Sequence, residues 1–259
     1  MKYLADWIVV ENTPLNVRYC LLRLRLNQEL PEMQPGQFVQ AKIENSPSTF
    51  LRRPISIHYV HRDKREIGLL VQIVGNGTQK LASLTVGEKL NLIYPIGKGF
   101  SIPKPDKTKQ TLLLIGGGVG IAPLLFLGQT LKQQGFIPEF LLGARTRNDL
   151  LCLDDFAAVG AVYITTEDGS IGEKGFVSNH SVLSNTKADF IYTCGPKPMM
   201  MAVARYAKRH NIPCEVSLEN TMACGIGACL CCVEKTVDGN TCVCTEGPVF
   251  NINELLWQI

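Results

Sequence analysis

Residues 111–123 read TLLLIGGGVGIAP, an apolar run that closes in glycines and leads into a second apolar stretch. This pattern predicts a buried strand, a turn and a helix, and Pro123 suits the first helical turn because its missing N–H has no intrahelical partner there. Glycines in this context let the backbone approach a pyrophosphate at the helix N-terminus. We take Gly117, Gly118 and Gly120 as candidate cofactor-binding residues, with a ligand-free tight turn as the alternative.

The same stretch carries no charged residue between Gln110 and Leu131, and its length alone would allow a membrane span. The glycines interrupt it, however, so we predict a strand and a helix and no membrane association. Asp6 and Glu11 leave no apolar export segment at the start of the chain, so we expect a cytoplasmic protein. A net charge of +3 is too small to indicate a nucleic-acid partner.

The chain changes character near residue 102, where a polar, proline-bearing linker spans residues 102–109. After it, apolar strands alternate with helical stretches, a pattern typical of a parallel sheet. The predicted strands cover residues 111–115, 137–142, 161–165 and 190–194, and the predicted helices begin near Pro123, Asn148, Val177 and Pro198.

Before the linker, short strands separated by turn signals predict a small antiparallel barrel. These strands cover residues 6–11, 17–26, 37–43, 54–60, 66–73 and 89–93. The predicted fold class is therefore multi-domain β + α/β. It comprises an N-terminal antiparallel β-barrel at residues 1–101, a parallel-sheet nucleotide-binding domain at 102–215 and a small cysteine-rich segment at 216–259.

Six of the ten cysteines lie between residues 224 and 244. Gly225 and Gly227 in this loop can adopt positive φ and leave room for N–H groups to approach the sulfurs of a cluster. The spacing C-x4-C-x2-C followed by a later cysteine is that of a plant-type [2Fe–2S] cluster. The candidate iron ligands are Cys224, Cys229, Cys232 and Cys244.

Two other uses of these thiols stay open. Zinc also binds thiolates, but its sites usually pair short cysteine knuckles or add histidine, and none of the four histidines lies in this segment. Disulfides fit poorly with a chain that lacks an export signal. Cys231 and Cys242 complicate the choice of ligands, and we treat both as neighbours of the cluster.

Two further motifs indicate nucleotide cofactors. Arg53-Pro54-Ile55-Ser56 joins a fixed cation to a hydroxyl, and we expect both side chains to face one side of a strand, as would suit a flavin. An ordinary edge strand that begins with proline is the alternative. Cys194-Gly195-Pro196 ends the last parallel strand, where open α/β sheets bind ligands. Cys194 is either a nicotinamide contact or a small core residue.

The acidic residue that usually binds the ribose hydroxyls at the end of the second strand is missing. Glu139 lies near the start of that strand, and its end carries Arg145 and Arg147. These arginines could pair with a 2′-phosphate, pair with the pyrophosphate or point into water. The sequence leaves NAD and NADP undistinguished.

The order of the Arg53–Ser56 motif, the Gly118-x-Gly120-x-x-Pro123 turn and Cys194-Gly195-Pro196 resembles that in the ferredoxin–NADP reductase superfamily. The tail from Glu219 to Phe250 resembles the electron-transfer subunit of NAD-dependent, class 1B dihydroorotate dehydrogenase, and the resemblance covers essentially the whole chain. It implies FAD on the barrel, a nicotinamide on the α/β domain and ligation of a [2Fe–2S] cluster by the four spaced cysteines. The implied flavin contacts are Arg53, Pro54, Ile55, Ser56, Leu70, Val71, Gln72, Gly77 and Thr78. The candidate nucleotide-binding residues from the two loops above are Gly117, Gly118, Gly120, Cys194, Gly195 and Pro196.

The resemblance also implies a function. A partner subunit containing FMN would oxidise dihydroorotate, and electrons would pass through the cluster and FAD of this chain to NAD⁺, in pyrimidine biosynthesis. Flavin connects the one-electron chemistry of a cluster to hydride transfer, so no catalytic side chain is predicted. A hetero-oligomer is expected.

Two alternatives remain. One is a subunit of another flavin and iron–sulfur NAD(P)H reductase, of the sulfhydrogenase or ferredoxin:NADP oxidoreductase type. The other is a zinc-stabilised binding module with a vestigial nucleotide fold.

Overall fold

A closed antiparallel barrel forms the N-terminal part of the chain. The computed structural model describes residues 1–44, 46, 48–104 and 110–259. Alternate side chains of each strand fill the barrel, as Val39 and Ala41 do on one short strand. The strands are β1 (Tyr3–Asn16), β2 (Tyr19–Arg25), β3 (Phe38–Ala41), β4 (Arg53–His61), β5 (Glu66–Gln72) and β6 (Lys89–Ile96), joined in the order β1-β2-β5-β4-β3-β6.

Each predicted barrel strand overlaps an observed one, and the barrel itself is confirmed. Sequence reasoning missed helix α1 (Asn76–Ala82), because Gly75-Asn76-Gly77 indicates no more than a turn. The Thr78 hydroxyl stabilises the start of this helix by accepting a hydrogen bond from the N–H of Val74 at 2.9 Å. It also donates to the Gly75 carbonyl at 3.0 Å.

The second part is a sheet of seven strands with helices packed on it. All neighbouring strands are parallel except the last pair, which is antiparallel. In sheet order the strands are β10 (Glu173–Lys174), β9 (Ala161–Thr166), β8 (Ile137–Ala144), β7 (Thr111–Gly117), β11 (Phe190–Cys194), β12 (Cys214–Ser217) and β15 (Val249–Asn251).

Two of the four predicted helices are regular and two are not. Helices α2 (Ala122–Gln133) and α5 (Lys197–Arg209) begin where Pro123 and Pro198 indicated. The helices predicted near Asn148 and Val177 are wrong at their starts, which are single 3₁₀ turns. Cys152 adopts a φ of 55°, which a continuous right-handed helix cannot contain, so only the short α3 (Leu153–Ala157) follows it. The second turn leads to α4 (Val182–Asn185).

The C-terminal segment packs between the barrel and the sheet. It contains the hairpin β13 (Val233–Thr236) and β14 (Gly239–Cys242), then α6 (Val243–Glu246) and β15. Most of its buried apolar residues share one cluster with Phe38 of the barrel and Val216 of β12. The proposed division between residues 215 and 216 therefore falls inside a strand, and part of the proposed linker, residues 105–109, lies outside the described residues.

Polar contacts hold the barrel against the sheet. The Asn16 amide donates to the Asn148 carbonyl at 2.7 Å, and Arg18 forms an ion pair with the buried Asp149 carboxylate. In the described part of the chain, every helix is too short or too polar to span a bilayer.

Candidate functional site

A cavity of about 770 Å³ opens where the barrel meets the carboxyl ends of the parallel strands. Open α/β sheets bind ligands at this edge, because the loops that follow neighbouring strands converge there. The wall brings together six of the predicted cofactor-binding residues: Gln72, Gly117, Gly118, Gly120, Gly195 and Pro196.

The two loops of this wall touch backbone to backbone. A Cβ on Gly120 would lie 2.4 Å from the Cα of Gly195, a distance that no side chain can adopt. Gly118 has a φ of 57°, in the left-handed region that favours glycine. The glycines therefore shape a floor of bare backbone on which a pyrophosphate can lie close to N–H groups.

Cys194 does not line this cavity. Its side chain is 1 % exposed and belongs to the core beneath the wall. Burial raises the pKa of its thiol well above the usual value, and the nearby Glu219 carboxylate adds to the rise. Of the two interpretations of Cys194, the structure favours the small core residue.

Six charged or aromatic residues of the wall were missed by sequence reasoning. Glu219 is open to the cavity, yet the protein atoms around it desolvate its carboxyl and raise the pKa above the usual value. Its position just beyond β12, the strand next to β11, was the available signal. The others are Arg18, Tyr19, Asp149, Glu167 and Phe176.

Only one of the two arginines after β8 reaches the cavity. Arg145 lines the wall, whereas Arg147 is not among the residues that form it. The Glu167 N–H donates to the Ala144 carbonyl at 3.1 Å, so Glu167 follows the adjacent strand β9 at the same edge of the sheet. The end of the second strand lacks an acidic residue, but an acidic side chain lies at the end of the neighbouring strand.

The flavin motif on the barrel divides between two faces. Ser56 is paired with Phe38 on the outer face of the barrel, and Arg53 is paired with Ala41, which points inward. The expectation that Arg53 and Ser56 share a face is wrong, because side chains alternate along a strand and these residues are three apart.

Arg53 instead meets the start of α1. A Cβ on Gly77 would lie 2.7 Å from Nε of Arg53, so the guanidinium group packs directly on this glycine. The neighbouring Thr78 is buried, and its hydroxyl is already engaged by the backbone. Leu70 and Val71 are buried in the apolar clusters on the two sides of β5, which leaves only backbone groups to meet a cofactor. Assignment of these residues to FAD stays a prediction.

The four spaced cysteines come together as two pairs. In the first, the Cys229 N–H donates to Sγ of Cys224 at 3.4 Å, and the Cys224 N–H donates to Sγ of Cys229 at 3.5 Å. Burial acts to raise the pKa of Cys224, but hydrogen bonds from the loop backbone and from the Cys229 thiol outweigh it and lower the pKa to about 6. The loop is therefore built to hold a thiolate.

The second pair is buried. Cys232 and Cys244 are 2 % and 0 % exposed, and the Cys244 N–H donates to Sγ of Cys232 at 3.4 Å. Cys242 lies beside Cys232, whose thiolate contributes to raising the Cys242 pKa after the larger effect of burial. Cys231 is exposed and points away from the core.

This donor set fits a two-iron cluster. Each iron of such a cluster takes two thiolates. The segment supplies one pair made of a half-buried and an exposed cysteine, and a second pair in which both cysteines are buried. A single zinc ion would need at least three ligands around one point. Among the described residues, no three histidine, cysteine or acidic side chains are grouped in that way.

Comparisons with known proteins agree with this site. Residues 219–256 match the family model described as the iron–sulfur cluster binding domain of dihydroorotate dehydrogenase B, and residues 114–205 match the oxidoreductase NAD-binding domain. The dihydroorotate dehydrogenase B (NAD(+)) electron transfer subunit of Bacillus cereus strain G9842 is 38 % identical over 266 aligned positions, covering 99 % of this chain and 100 % of the relative. The chain belongs to this family.

Another electron transfer subunit of the family, from Shouchella clausii, is 38 % identical over 86 % of both chains. The structure also superposes on that of an NADH-dependent reduced ferredoxin-NADP oxidoreductase, with a TM-score of 0.86, 27 % identity and coverage of 98 % of this chain and 90 % of the other. The ferredoxin NADP⁺ reductase of Neisseria gonorrhoeae, at 16 % identity and a TM-score of 0.66 over 80 % and 91 % of the two chains, shares the fold. The predicted family, fold class, electron-transfer function and cofactor set are confirmed.

Proposed function

We propose that this chain carries electrons from an FMN-containing dihydroorotate dehydrogenase subunit to NAD⁺, as an electron transfer subunit in pyrimidine biosynthesis. The observation that carries the proposal is the position of the paired thiols. They lie in a segment that packs on the outer face of β3, and β3 is paired with the strand of the flavin motif. Family membership supports a hetero-oligomer with a catalytic subunit. The FMN of that subunit is our prediction, as is a cytoplasmic location.

The residues of this chain would hold three cofactors along one path of electron transfer. Bound FAD supplies the exchange of two electrons with a nicotinamide and of single electrons with a cluster. Arg53 and the start of α1 would hold the flavin phosphates, while the outer face near Ser56 would meet the ring. The backbone at Gly117 to Gly120 would hold the dinucleotide phosphates, and the two cysteine pairs would hold the irons.

The test is to prepare the chain anaerobically, alone and with its catalytic subunit. We expect visible and EPR spectra with flavin and a [2Fe–2S] signal, NADH oxidation by the isolated chain, and dihydroorotate oxidation only with the partner. A colourless preparation that contains zinc would contradict the proposal. Dihydroorotate oxidation by the isolated chain would contradict the division of labour.

The likeness to an NADH-dependent reduced ferredoxin-NADP oxidoreductase favours one second candidate, a subunit that exchanges electrons with another iron–sulfur protein. Reduction of ferredoxin by NADH, at a rate above that of orotate formation in the complex, would support this alternative.

A further inference from the structure

Gln40 has a buried side-chain amide for which the protein supplies no hydrogen bond. The residue is 0 % exposed, and neither its amide nitrogen nor its amide oxygen has a partner among the described residues. Buried polar side chains in proteins are nearly always hydrogen-bonded, so an orphaned amide calls for a ligand or another function.

The strand geometry shows where this amide points. In β3, Val39 and Ala41 fill the barrel interior, so Phe38 and Gln40 face outward. Phe38 joins the apolar cluster that contains Cys232 and Cys244. Gln40 therefore lies on the barrel face that the cysteine-rich segment covers.

The amide touches the cluster loop itself. A Cβ on Gly225 would lie 2.5 Å from the amide nitrogen of Gln40, so only glycine admits the amide at this point. Gly225 directly follows Cys224 and has a φ of 68°. Within the barrel sheet, Gln40 is paired with Pro54 of the flavin motif on β4. Directly paired residues share a face of the sheet, so Pro54 lies on the same outer face as Gln40.

We propose that the Gln40 amide donates a hydrogen bond to the sulfur atoms of the bound cluster and thereby raises the cluster's reduction potential. The inference rests on the proposed cluster site. Reduction adds negative charge to the cluster, and an N–H donor stabilises that charge more than it stabilises the oxidised form. Gln40 would thus contact the cluster directly, from the face of the sheet that it shares with Pro54 of the flavin motif.

The experiment compares the wild-type complex with Gln40→Met, which keeps the length of the side chain and removes its donors. An EPR-monitored redox titration should give a lower cluster midpoint in the variant. We expect a shift equivalent to about a tenfold change in the ratio of oxidised to reduced cluster, or about 59 mV for a one-electron couple. The flavin midpoint, followed by visible absorbance, should stay within error.

Gln37→Met is the matched control, because the Gln37 amide already donates to the Gly97 carbonyl at 2.8 Å. Its cluster midpoint should equal that of the wild type. An unchanged cluster midpoint in Gln40→Met, or a shift of the flavin midpoint in its place, would overturn the proposal.

A second measurement needs no variant. Wild-type protein labelled with ¹⁵N only in glutamine side chains should show a ¹⁵N hyperfine coupling to the reduced cluster in pulsed EPR. Absence of that coupling would refute the role of Gln40 even if Gln40→Met failed to fold. A wild-type protein with no [2Fe–2S] signal would instead refute the cluster site itself, so the two failures are distinguishable.

Discussion

The glycine turn at residues 116–120 and the cysteine loop at residues 224–232 are both predicted to bind a cofactor through backbone N–H groups or thiols, yet different forces hold them. The turn joins β7 to α2, and residues 112–115 before it are fully buried. The cysteine loop contains no helix or strand, and Ile226, Cys229 and Leu230 within it are exposed. Protein packing shapes the first loop, whereas N–H groups directed at sulfur shape the second.

This difference indicates how each loop depends on its cofactor. Buried strands and a helix keep the turn in its binding geometry whether or not a dinucleotide is bound. The cysteine loop has few apolar contacts of its own, so metal binding and loop folding are coupled there. Changes in the loop should therefore remove a cofactor completely, and changes in the turn should only weaken binding.

The largest effect is expected for Cys229→Ser. Cys229 is exposed, so the change disturbs little packing, but it removes one of the two thiols that we predict to bind one iron. We expect loss of the cluster and a decrease of about a hundredfold or more in electron transfer from dihydroorotate to NAD⁺, since even outer-shell changes at metal sites cost 10- to 100-fold. Iron analysis and EPR measure the first effect, and coupled assays with the partner measure the second.

Reduction of the flavin by NADH should survive in Cys229→Ser, because the turn is separate from the loop. Cys231→Ser is the matched control, since Cys231 is also exposed and lies two residues away. It should retain iron and activity. Retention of the cluster in Cys229→Ser with its loss in Cys231→Ser would show that the ligand assignment is wrong.

A smaller effect is expected for Gly120→Ala in the turn. The added Cβ would meet the backbone of Gly195 at 2.4 Å, and backbone cannot move aside as a flexible side chain can. Overpacking of this kind costs about 1–3 kcal/mol. We expect a KM for NADH raised about tenfold, since 1.4 kcal/mol corresponds to a factor of ten. Steady-state kinetics and thermal unfolding measure these two changes.

Gly75→Ala tests whether any lost glycine would do the same. Its φ is 179° and a Cβ at this position would have no atom within 4 Å, so we expect a change within about 0.5 kcal/mol. Iron content should be normal in both glycine variants. Loss of iron in Gly120→Ala would contradict the independence of the two loops.

The sequence predicted the parts of the fold that repeat a pattern. Alternating apolar residues located the barrel strands, and apolar runs closed by glycine located the parallel ones. Helix α1 was missed because its first turn has the composition of a loop. The irregular chain after β8 was missed because a contact from the barrel, the ion pair of Arg18 with Asp149, fixes it.

The site was predictable where chemistry demands a spacing and not where folding brings distant residues together. The spacing alone selected four cysteines, and the structure brings these four together as two pairs. Glu219 and Arg18 line one cavity although they are 201 positions apart in the chain, and their meeting depends on how the barrel packs against the sheet. The role that we propose for Gln40 could not be predicted either, because it depends on the contact between the Gln40 amide and Gly225, which only the fold shows.

The carboxylate of Glu167 offers a test of specificity at the turn. It lines the cavity together with Arg145, and a carboxylate there can accept hydrogen bonds from ribose hydroxyls while repelling a 2′-phosphate. In Glu167→Gln we expect the ratio of kcat/KM for NADH to that for NADPH to fall about tenfold, or about 1.4 kcal/mol. Asp154→Asn, an exposed acid away from the cavity, makes the same charge change and should leave the ratio unaltered. If the NADH-to-NADPH ratio of kcat/KM were the same in Glu167→Gln and Asp154→Asn, Glu167 would not determine the nicotinamide preference.

The smallest effect concerns His58, which ties the barrel to the helix after the turn. Its Nδ1–H donates to the Ala122 carbonyl at 2.8 Å, because a carbonyl only accepts. Burial lowers the pKa of His58 from 6.5 to about 4, and the hydrogen bond opposes only part of that shift. The folded protein therefore keeps the ring neutral at pH values where the unfolded chain protonates it.

Stability from this neutral histidine is complete above about pH 6.5 and is lost as the pH falls toward 4. Between pH 7 and 5.5 the free energy of unfolding of the wild type should fall by about 1 kcal/mol more than that of His58→Gln, because glutamine at position 58 does not titrate. Thermal unfolding should show this as a Tm difference of about 2–4 °C. His61→Gln, an exposed histidine on the same strand, should follow the wild type. Parallel curves for wild type and His58→Gln would mean that the contact with Ala122 does not require a neutral ring. Packing against the barrel would then contribute less to holding the glycine turn in place, and the turn would differ less from the cysteine loop.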